Sequence, residues 1–372
     1  MARGGAERQV VDLSAKFTSR GWNVAVLSMT TPYDFVDELE AAGVEVASLH
    51  MKRGRPTPAA FVRYGRFVRR WRPDLVHSHM VHANLLARFG RVFVPSTPVV
   101  CTIHNVNEGR RWREIAYRLT DPFANVTTAV SRAAAERFVR VGAVPRRRML
   151  FMPNGLDFSR APATEAERAR LRSELHAGTG FLWVAVGRLM PEKGHDILIS
   201  ALKHVGEVRP DARLVIAGEG PQRQPLEALI ERLGVADKVT LLGERTDVHS
   251  ILAAADAFVM SSRWEGLPIS LLEAASQALP MVSTDVGGCR EVVNPDVGGV
   301  LASPEMGALA TAMLDVMGRS AEERARMGRD LRDFARSEFD LDEVVTRWES
   351  LYSSLIARRP ARSSHPARHS GE

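Results

Sequence analysis

The chain has 372 residues, of which 45% are hydrophobic and 25% are charged. A single hydrophobic core rarely grows to this length, so we expect two domains. The composition is that of a globular protein, and no apolar run reaches the ~18 to 20 residues that a membrane-spanning helix needs. The only two cysteines, Cys101 and Cys289, exclude a disulfide framework and a cysteine-rich metal site.

The net charge of +6 is unevenly distributed along the chain. Residues 1–157 hold 24 Lys and Arg against 13 Asp and Glu, whereas the remainder holds 26 against 31. The basic half is expected to face an anionic surface, either phospholipid or a phosphate-bearing acceptor. The alternative explanation of the basic first half is a generally arginine-rich composition with no anionic partner. The two cysteines, with no disulfide framework, favour a reducing, cytoplasmic setting, and the first ten residues contain no apolar stretch typical of a signal peptide.

In the first half, short β-type runs alternate with helical patterns, which predicts a parallel sheet covered on both faces. The predicted strands are residues 24–28, 44–49, 74–77, 99–102 and 127–130. The predicted helices are residues 10–20, 58–71, 84–91 and 132–141.

The second half repeats this alternation with more apolar strands. The predicted strands are residues 181–186, 213–217, 239–242, 257–260 and 281–284. The predicted helices between them are residues 195–208, 222–233, 247–254 and 269–277. A charged helix is predicted over 164–175, between the halves, and two more over 320–339 and 341–355.

The alternation predicts an α/β protein with two Rossmann-like domains whose parallel sheets face each other across a cleft. The predicted division is an N-terminal domain (1–157), a linker (158–178), a C-terminal domain (179–340), a C-terminal helix (341–357) and a disordered tail (358–372). The C-terminal helix could pack against either domain, including the N-terminal one. Ligands of such sheets bind at the carboxyl ends of the strands, so candidate site residues should follow strands.

The segment Glu265-Gly-Leu-Pro-Ile-Ser-Leu-Leu-Glu273 follows the predicted strand 257–260. Pro268 suits the first turn of a helix, where its missing N–H is not needed. The free N–H groups of that turn can hold phosphate oxygens. The residues predicted to form this donor-binding turn are Gly266, Leu267, Pro268, Ile269 and Ser270.

The two glutamates of this segment are the strongest candidates for sugar contacts. Glu265 lies in the loop before the predicted helix and Glu273 lies inside it. A carboxylate accepts paired hydrogen bonds from the vicinal hydroxyls of a sugar or ribose. Two solvated surface carboxylates are the alternative, which the flanking Ser-Ser-Arg-Trp-Glu-Gly-Leu-Pro disfavours.

A glycine-bounded loop with two cations follows the strand 181–186, in the order Gly187-Arg188-Leu-Met-Pro-Glu-Lys193-Gly194. The Arg188 guanidinium can donate two parallel hydrogen bonds to a phosphate, and the Lys193 ammonium supplies a compact positive charge. This combination suits a diphosphate, although it is not the Walker pattern. An exposed turn with incidental charges is the alternative.

Other candidates are weaker when taken alone. Gly4 and Gly5 open a predicted helix, where glycine lets the backbone approach a phosphate. His104 follows strand 99–102 and is the histidine expected to contact a donor sugar or assist proton transfer. His77 and His79, placed after the neighbouring strand, are read as structural.

Two further charged residues follow strands of the second half. Glu219 lies in Ala-Gly-Glu-Gly-Pro, and Arg245 lies in Gly-Glu-Arg-Thr-Asp. Both could line a pocket for a nucleotide base. Ordinary turn chemistry explains them equally well.

Taken together, the motifs VGRLMPEKG, IAGEGP, SRWEGLPISLLEA and VSTDVGG resemble the family 4 retaining glycosyltransferases of the GT-B fold. The resemblance covers nearly the whole chain, from GGAER at 4–8 through PNGLD at 153–157 to Gly287-Gly288. It implies that the second domain binds a nucleotide diphosphate sugar and that the first presents the acceptor.

The resemblance also implies roles for individual residues. Arg188 and Lys193 would bind the diphosphate, and Gly5 would approach it from the first domain. Glu273 would bind the nucleotide ribose, and Glu265 would bind the transferred sugar. No metal or cofactor is implied, and we do not read Asp340-Leu-Asp342 as a metal-binding motif because it falls in a helical stretch.

The start of the chain and the segment 112–130 resemble bacterial enzymes of exopolysaccharide, capsule or O-antigen assembly. The implied partners are a UDP-sugar, with a GDP-sugar as the second choice, and a glycan or lipid-linked acceptor at the inner membrane face. No nucleic acid is expected, and a monomer is the default.

The chain departs from the family pattern at its start, because members of this family begin with a strand before the Gly-Gly loop and only three residues precede Gly4 here. In a doubly wound sheet this strand is central, and its loss would leave buried backbone groups unpaired. We expect the natural chain to begin about ten to fifteen residues upstream. A degraded, weakly active copy is the alternative.

Residues 61–71 form an amphipathic helix in which Phe61, Tyr64, Phe67, Val68 and Trp71 share one stripe and arginines occupy the rest. A stripe that faces the core is the favoured interpretation, and a helix lying on anionic lipid is the alternative.

Three rival functions are considered. A nucleotide-sugar epimerase shares the fold, and a non-catalytic nucleotide-sugar-binding protein is compatible with a missing first strand. A dinucleotide oxidoreductase is disfavoured because no G-x-G-x-x-G follows a first strand.

Overall fold

A computed structural model describes residues 4–31, 34–52, 57–159, 164–175 and 178–358. The predicted disordered tail, apart from Arg358, lies outside this range. Among the described residues, parallel strands alternate with helices, as the sequence predicts.

The helices of the first half are α1 (Gly5–Ser19), α2 (Val36–Ala41), α3 (Pro58–Trp71), α4 (Val81–Gly90), α5 (Arg111–Thr120) and α6 (Arg132–Arg140). Its strands are β1 (Ala25–Ser28), β2 (Glu45–Ser48), β3 (Val76–His79), β4 (Val99–Ile103), β5 (Val126–Ala129) and β6 (Met149–Phe151).

The helices that follow are α7 (Glu165–Glu174), α8 (His195–Val208), α9 (Arg223–Leu233), α10 (Val248–Ala254), α11 (Ile269–Ser276), α12 (Cys289–Val292), α13 (Met306–Gly318), α14 (Ala321–Phe339) and α15 (Leu341–Ala357). The strands are β7 (Phe181–Val186), β8 (Ala212–Ala217), β9 (Val239–Gly243), β10 (Ala257–Met260), β11 (Met281–Thr284) and β12 (Val300–Ala302).

The second half contains one six-stranded parallel sheet in the order β12-β11-β10-β7-β8-β9. Strand β7 (FLWVAV) is central and five of its six residues are buried, which explains its continuous apolar sequence. Two apolar clusters cover the two faces of the sheet, one including Leu182 and Val184 and the other including Trp183. The chain order reverses beside β7, between β10 and β8, so its carboxyl end opens into a crevice.

The first half contains two separate parallel sheets, β1-β2 and β3-β4-β5-β6. Strand β3 occupies residues 76–79, two residues later than predicted, so His77 and His79 lie within the strand and not after it. The predicted strand bounds 74–77 were wrong, because the residues that pair with β4 begin at Val76 and end at His79. The edge strands β6 and β12 were not predicted, since three residues are too short to show an alternation.

A cavity separates β1 from β3. Its lining includes the whole of both strands together with apolar side chains of α1 and α3, such as Phe17 and Tyr64. Within the described residues, β1 pairs only with β2, and β3 pairs only with β4. The edges of two parallel sheets therefore face an apolar gap in the position where a further strand would join them.

The helix α15 packs against the first half, although it follows the second half in sequence. Leu341, Val344 and Trp348 share an apolar cluster with Leu13 and Phe17 of α1. Lys16 and Arg20 also form ion pairs with Asp342 at 2.8 and 2.9 Å. In the Asp340-Leu-Asp342 sequence, Asp340 is the N-cap of α15 and Asp342 forms the ion pairs with α1.

The aromatic stripe of α3 is directed inward. Tyr64 and Val68 are buried in a cluster with Leu49, and Phe67 packs against that cluster. This is the core-facing arrangement that the sequence analysis favours. None of the described helices is long and apolar enough to cross a membrane.

An added strand is expected to stabilise the first half. A short segment of alternating Val and Ile joined ahead of Gly4 can pair with β1 and β3 and cover the apolar gap, so we expect Tm to rise by roughly 5 °C or more. Calorimetry would compare the chain that carries the Val and Ile extension with a chain that carries a Gly-Ser extension of equal length. Equal Tm values for the two extended chains would contradict the prediction.

Candidate active site

Two helix N-termini converge at the mouth of the crevice. The helix α1 begins at Gly5 after the N-cap Gly4, and α11 begins at Ile269 after the N-cap Pro268. Pro268 thus precedes the helix and does not form part of its first turn. A Cβ atom built on Gly5 would lie 3.5 Å from Cδ1 of Ile269. Since the first N–H groups of a helix lack intrahelical partners and carry partial positive charge, this junction favours an anion.

The loop before α11 packs directly onto the backbone of the first half. A Cβ atom at Gly266 would lie 1.9 Å from the carbonyl oxygen of His104, so only glycine permits this approach. The buried Asn154 side chain donates a hydrogen bond of 3.0 Å to the Leu267 carbonyl. The loop is therefore held between β4 and the segment that leaves β6.

Lys193 and Glu265 form an ion pair of 2.5 Å between Nζ and Oε1. The Ser262 hydroxyl donates a second hydrogen bond, of 2.6 Å, to the same oxygen. Glu265 is buried and Lys193 is partly buried. The pair thus places a cation and a carboxylate at one point of the cleft, although 72 residues separate them in sequence.

Arg188 follows β7 and is exposed toward the cleft. The chain then turns through a short 3-10 segment, Pro191–Lys193, which ends at Gly194 with φ of +62°. This turn brings Lys193 back over the loop, where its Cδ lies 3.6 Å from the Cβ position of Gly187. Both predicted phosphate ligands therefore lie at the carboxyl end of the same strand.

Glu273 projects from the first turns of α11 toward α1. Its pKa is raised to about 7, chiefly by burial and also by the Asp12 carboxylate, while Arg8 acts in the opposite direction. Asp12 itself accepts a hydrogen bond of 2.8 Å from Nε of Arg8. A desolvated carboxylate of this kind gains most from a ligand that donates hydrogen bonds to it.

His104 lies at the end of β4, and its ring is part of a histidine cluster. Its Nε2 is 2.9 Å from Nδ1 of His79, whereas His77 contacts the Tyr352 hydroxyl and Thr102 at 2.6 Å each. Burial lowers the pKa of His104 to about 4 and that of His77 to about 3. The rings are therefore neutral at pH 7, and the tautomer of His79 is coupled to that of His104 through their hydrogen bond.

Glu219 and Arg245 lie at the outer rim and are paired with near neighbours. Glu219 binds Arg223 at 2.8 Å, and Arg245 binds Asp247 through Nε at 2.7 Å. Both side chains are exposed. The contacts are those of ordinary turns, and a role in base binding stays a prediction.

All predicted site residues line one cavity of about 2550 Å³, which extends into the gap between β1 and β3. They are Gly4, Gly5, His104, Arg188, Lys193, Glu219, Arg245, Glu265, Gly266, Leu267, Pro268, Ile269, Ser270 and Glu273. The described residues contain no group of three or more His, Cys, Asp or Glu side chains suited to a metal ion.

Sequence reasoning missed four residues that shape the site. Arg8 and Asp12 approach Glu273, Ser262 holds Glu265, and Asn154 holds the Leu267 carbonyl. The spacing of Arg8 and Asp12 by one helical turn could have indicated a pair on α1. The contacts of Ser262 and Asn154 depend on tertiary structure and left no such signal.

Two family models match successive halves of the chain. The description "Glycosyltransferase Family 4" matches residues 3–160, and "Glycosyl transferases group 1" matches residues 167–334. The boundary between the matches lies at the segment that joins the two halves.

Curated and solved relatives match over most of their length. Glycogen synthase of Mycobacterium tuberculosis is 30% identical over 80% of this chain and 72% of its own. The UDP-Gal:alpha-D-GlcNAc-diphosphoundecaprenol alpha-1,3-galactosyltransferase of Escherichia coli is 25% identical over 77% and 76%. The crystal structure of Anabaena HepE in complex with UDP-glucose superposes with a TM-score of 0.84, at 23% identity over 95% and 97% of the two chains.

The two parallel α/β halves and the crevice between them are those of a GT-B enzyme that acts on nucleotide sugars. The chain belongs to the family 4 glycosyltransferases. The predicted fold class and the predicted enzyme class are both confirmed, and this membership favours transfer over the epimerase and oxidoreductase alternatives.

Substituting Gly266 should disturb the contact between the halves. The Cβ of Gly266→Ala would overlap the His104 carbonyl, so the loops must separate, at a cost of about 1–3 kcal/mol in the free energy of unfolding. Gly307→Ala is the control, because its Cβ meets open space on α13 and should be neutral or stabilising. Denaturant unfolding of both variants tests this, and equal stabilities would contradict the close approach.

Glu273 predicts a stability that depends on pH. The folded protein keeps this proton up to about pH 7, whereas an exposed glutamate in the unfolded chain has a pKa near 4.5, so the folded state loses stability as pH rises between these values. Glu273→Gln removes the loss. We expect its Tm to exceed that of the parent at pH 8 and to approach it at pH 4.5, without ligand. A constant difference across this range would count against the assignment.

Proposed function

We propose that this enzyme transfers a sugar, with retention of configuration and without a metal ion, from a nucleotide diphosphate sugar to a glycan or lipid-linked acceptor in cell-surface polysaccharide synthesis. The observation that carries the proposal is the convergence of two helix N-termini, Lys193 and Arg188 on one cleft between the halves.

The diphosphate is proposed to lie between the N-termini of α1 and α11. Gly4 and Gly5 allow close backbone approach from one side, and Lys193 with Arg188 supplies positive charge from the other. Negative charge grows on the leaving diphosphate as the bond to the sugar breaks. Fixed cations and N–H dipoles stabilise that charge, which is usually the largest catalytic contribution.

Lys193 is held by Glu265 before any donor binds. An ammonium group has three donors, so Lys193 can keep this contact and also bind a phosphate oxygen. Glu265, fixed through Oε1 by Lys193 and Ser262, is proposed to contact the hydroxyls of the transferred sugar. Glu273 is proposed to bind the ribose, whose hydroxyls can satisfy its desolvated carboxylate.

His104 is proposed to contact the sugar or to assist proton transfer. Its neutral ring belongs to the residue whose carbonyl group lies against Gly266, next in sequence to Glu265, and both His104 and Glu265 line the cavity. The acceptor oxygen would attack the anomeric carbon on the face that the diphosphate leaves, and its proton would pass to the departing phosphate oxygen. Attack on that face preserves configuration.

UDP is the favoured nucleotide and GDP the second choice, because HepE was crystallised with UDP-glucose and the E. coli relative is named for UDP-Gal. The latter name also contains a diphosphoundecaprenol acceptor, which supports a lipid-linked acceptor here. We propose that the enzyme works in the cytoplasm at the inner membrane face, as a monomer and without nucleic acid.

Lys193→Ala should lower kcat by about 10² or more, by analogy with the loss of one oxyanion donor. The measurement is release of nucleoside diphosphate from a panel of UDP- and GDP-sugars with free and lipid-linked glycan acceptors. Lys203→Ala is the matched control, since Lys203 lies on the exposed face of α8 and pairs with Glu207. A Lys193→Ala enzyme with most of its turnover would refute the assignment.

A further inference from the structure

The helix α5 carries an apolar stripe that faces away from the protein. Leu119 is 71% exposed and Ile115 is 58% exposed, and Trp112 is also exposed. At 100° per residue these three side chains fall within one narrow sector, whereas Tyr117 and Thr120 fill the buried side.

Neighbouring elements extend the stripe into a continuous surface. Phe123 follows α5 and is exposed, and its ring centroid lies 6.5 Å from that of the exposed Phe89 at the end of α4. Val92 is exposed just beyond α4. We call the set Trp112, Ile115, Leu119, Phe123, Phe89 and Val92 the α5 surface. A contiguous apolar patch of this kind marks a site of interaction.

The charges around the α5 surface are positive. Arg111 and Arg118 are exposed along the edge of the stripe, and Arg110 is exposed just before the helix. The acids of this segment are turned inward, because Glu114 pairs with Arg137 at 2.5 Å and Asp121 pairs with Arg148 at 2.7 Å. The outer face therefore combines aromatic and aliphatic side chains with arginines, as in helices that lie on anionic lipid.

The α5 surface also reaches the active-site cleft. Trp112 and Phe89 line the same cavity as His104, and Glu108 and Arg113 also line it. A molecule embedded by its tail in a bilayer beneath the α5 surface would present its head group at this side of the cleft.

We propose that the α5 surface docks this enzyme on an anionic phospholipid bilayer, which rests on the proposed function in that it places the cleft beside membrane-bound acceptors. The arginines attract the anionic head groups, and Trp112, Ile115 and Leu119 enter the boundary with the acyl chains. This surface differs from the stripe of α3, which is directed inward.

The test is sedimentation of the full chain with vesicles of phosphatidylcholine alone or in equimolar mixture with phosphatidylglycerol. We expect binding to the mixture, weakened about tenfold or more by Leu119→Asp and by the double variant Arg111→Glu/Arg118→Glu. Val208→Asp is the matched control, because Val208 is 64% exposed at the end of α8 in the other half, and it should bind like the parent.

Three results would overturn the proposal. The first is a parent protein that fails to sediment with the mixed vesicles, and the second is a Leu119→Asp variant that binds them as tightly as the parent. The third result is a parent dimer that Leu119→Asp disrupts, without any lipid binding. The last result would assign the surface to a second copy of the chain. If the proposed donor site binds a nucleoside diphosphate, UDP or GDP will raise Tm, and this rise is measured on the same samples. A preserved rise without vesicle binding refutes only the docking surface, whereas vesicle binding without any rise refutes only the donor site.

Discussion

The arrangement of the active site depends on a backbone contact between the halves, where Gly266 lies against the carbonyl group of His104. No side chain fits at that point, so the loop before α11 can follow the end of β4 closely. This approach brings the start of α11 to the start of α1, so that a Cβ atom built on Gly5 would be in van der Waals contact with Ile269. Two partial positive charges from different halves then share one cleft, which neither half would provide alone.

The charged groups of this cleft differ in their effect on the stability of the unliganded protein. The carboxyl group of Glu273 is desolvated and close to Asp12, so its ionisation is unfavourable without a partner. Lys193 and Glu265, by contrast, neutralise each other at 2.5 Å. Under the proposed function, a nucleotide sugar would supply hydroxyls to Glu273 and a phosphate oxygen to Lys193. Such costs in the unliganded state are typical of functional sites, where stability is given up for preorganisation.

Much of this site could be predicted because its residues follow strands. The cations Arg188 and Lys193 come after β7, and the Glu265 segment comes after β10, so the fold class itself places them at one edge of the sheet. The Lys193–Glu265 pair could not be predicted, since it depends on how the turn ending at Gly194 folds back. The α5 surface was also missed, because Trp112, Ile115 and Leu119 show a helical stripe but sequence does not reveal which face is covered. The strand expected before the Gly-Gly loop stays a prediction.

The most direct test of the proposed diphosphate site is the thermal shift of the purified chain with UDP, GDP, ADP and CMP, each nucleoside diphosphate being paired with its monophosphate. A ligand that binds only the folded state raises its stability. If the two helix N-termini and the cations bind a diphosphate, one nucleoside diphosphate will raise Tm clearly, and its monophosphate will raise it much less. Equal shifts for the two, or no shift in a protein that melts cooperatively, would contradict a diphosphate site between the halves.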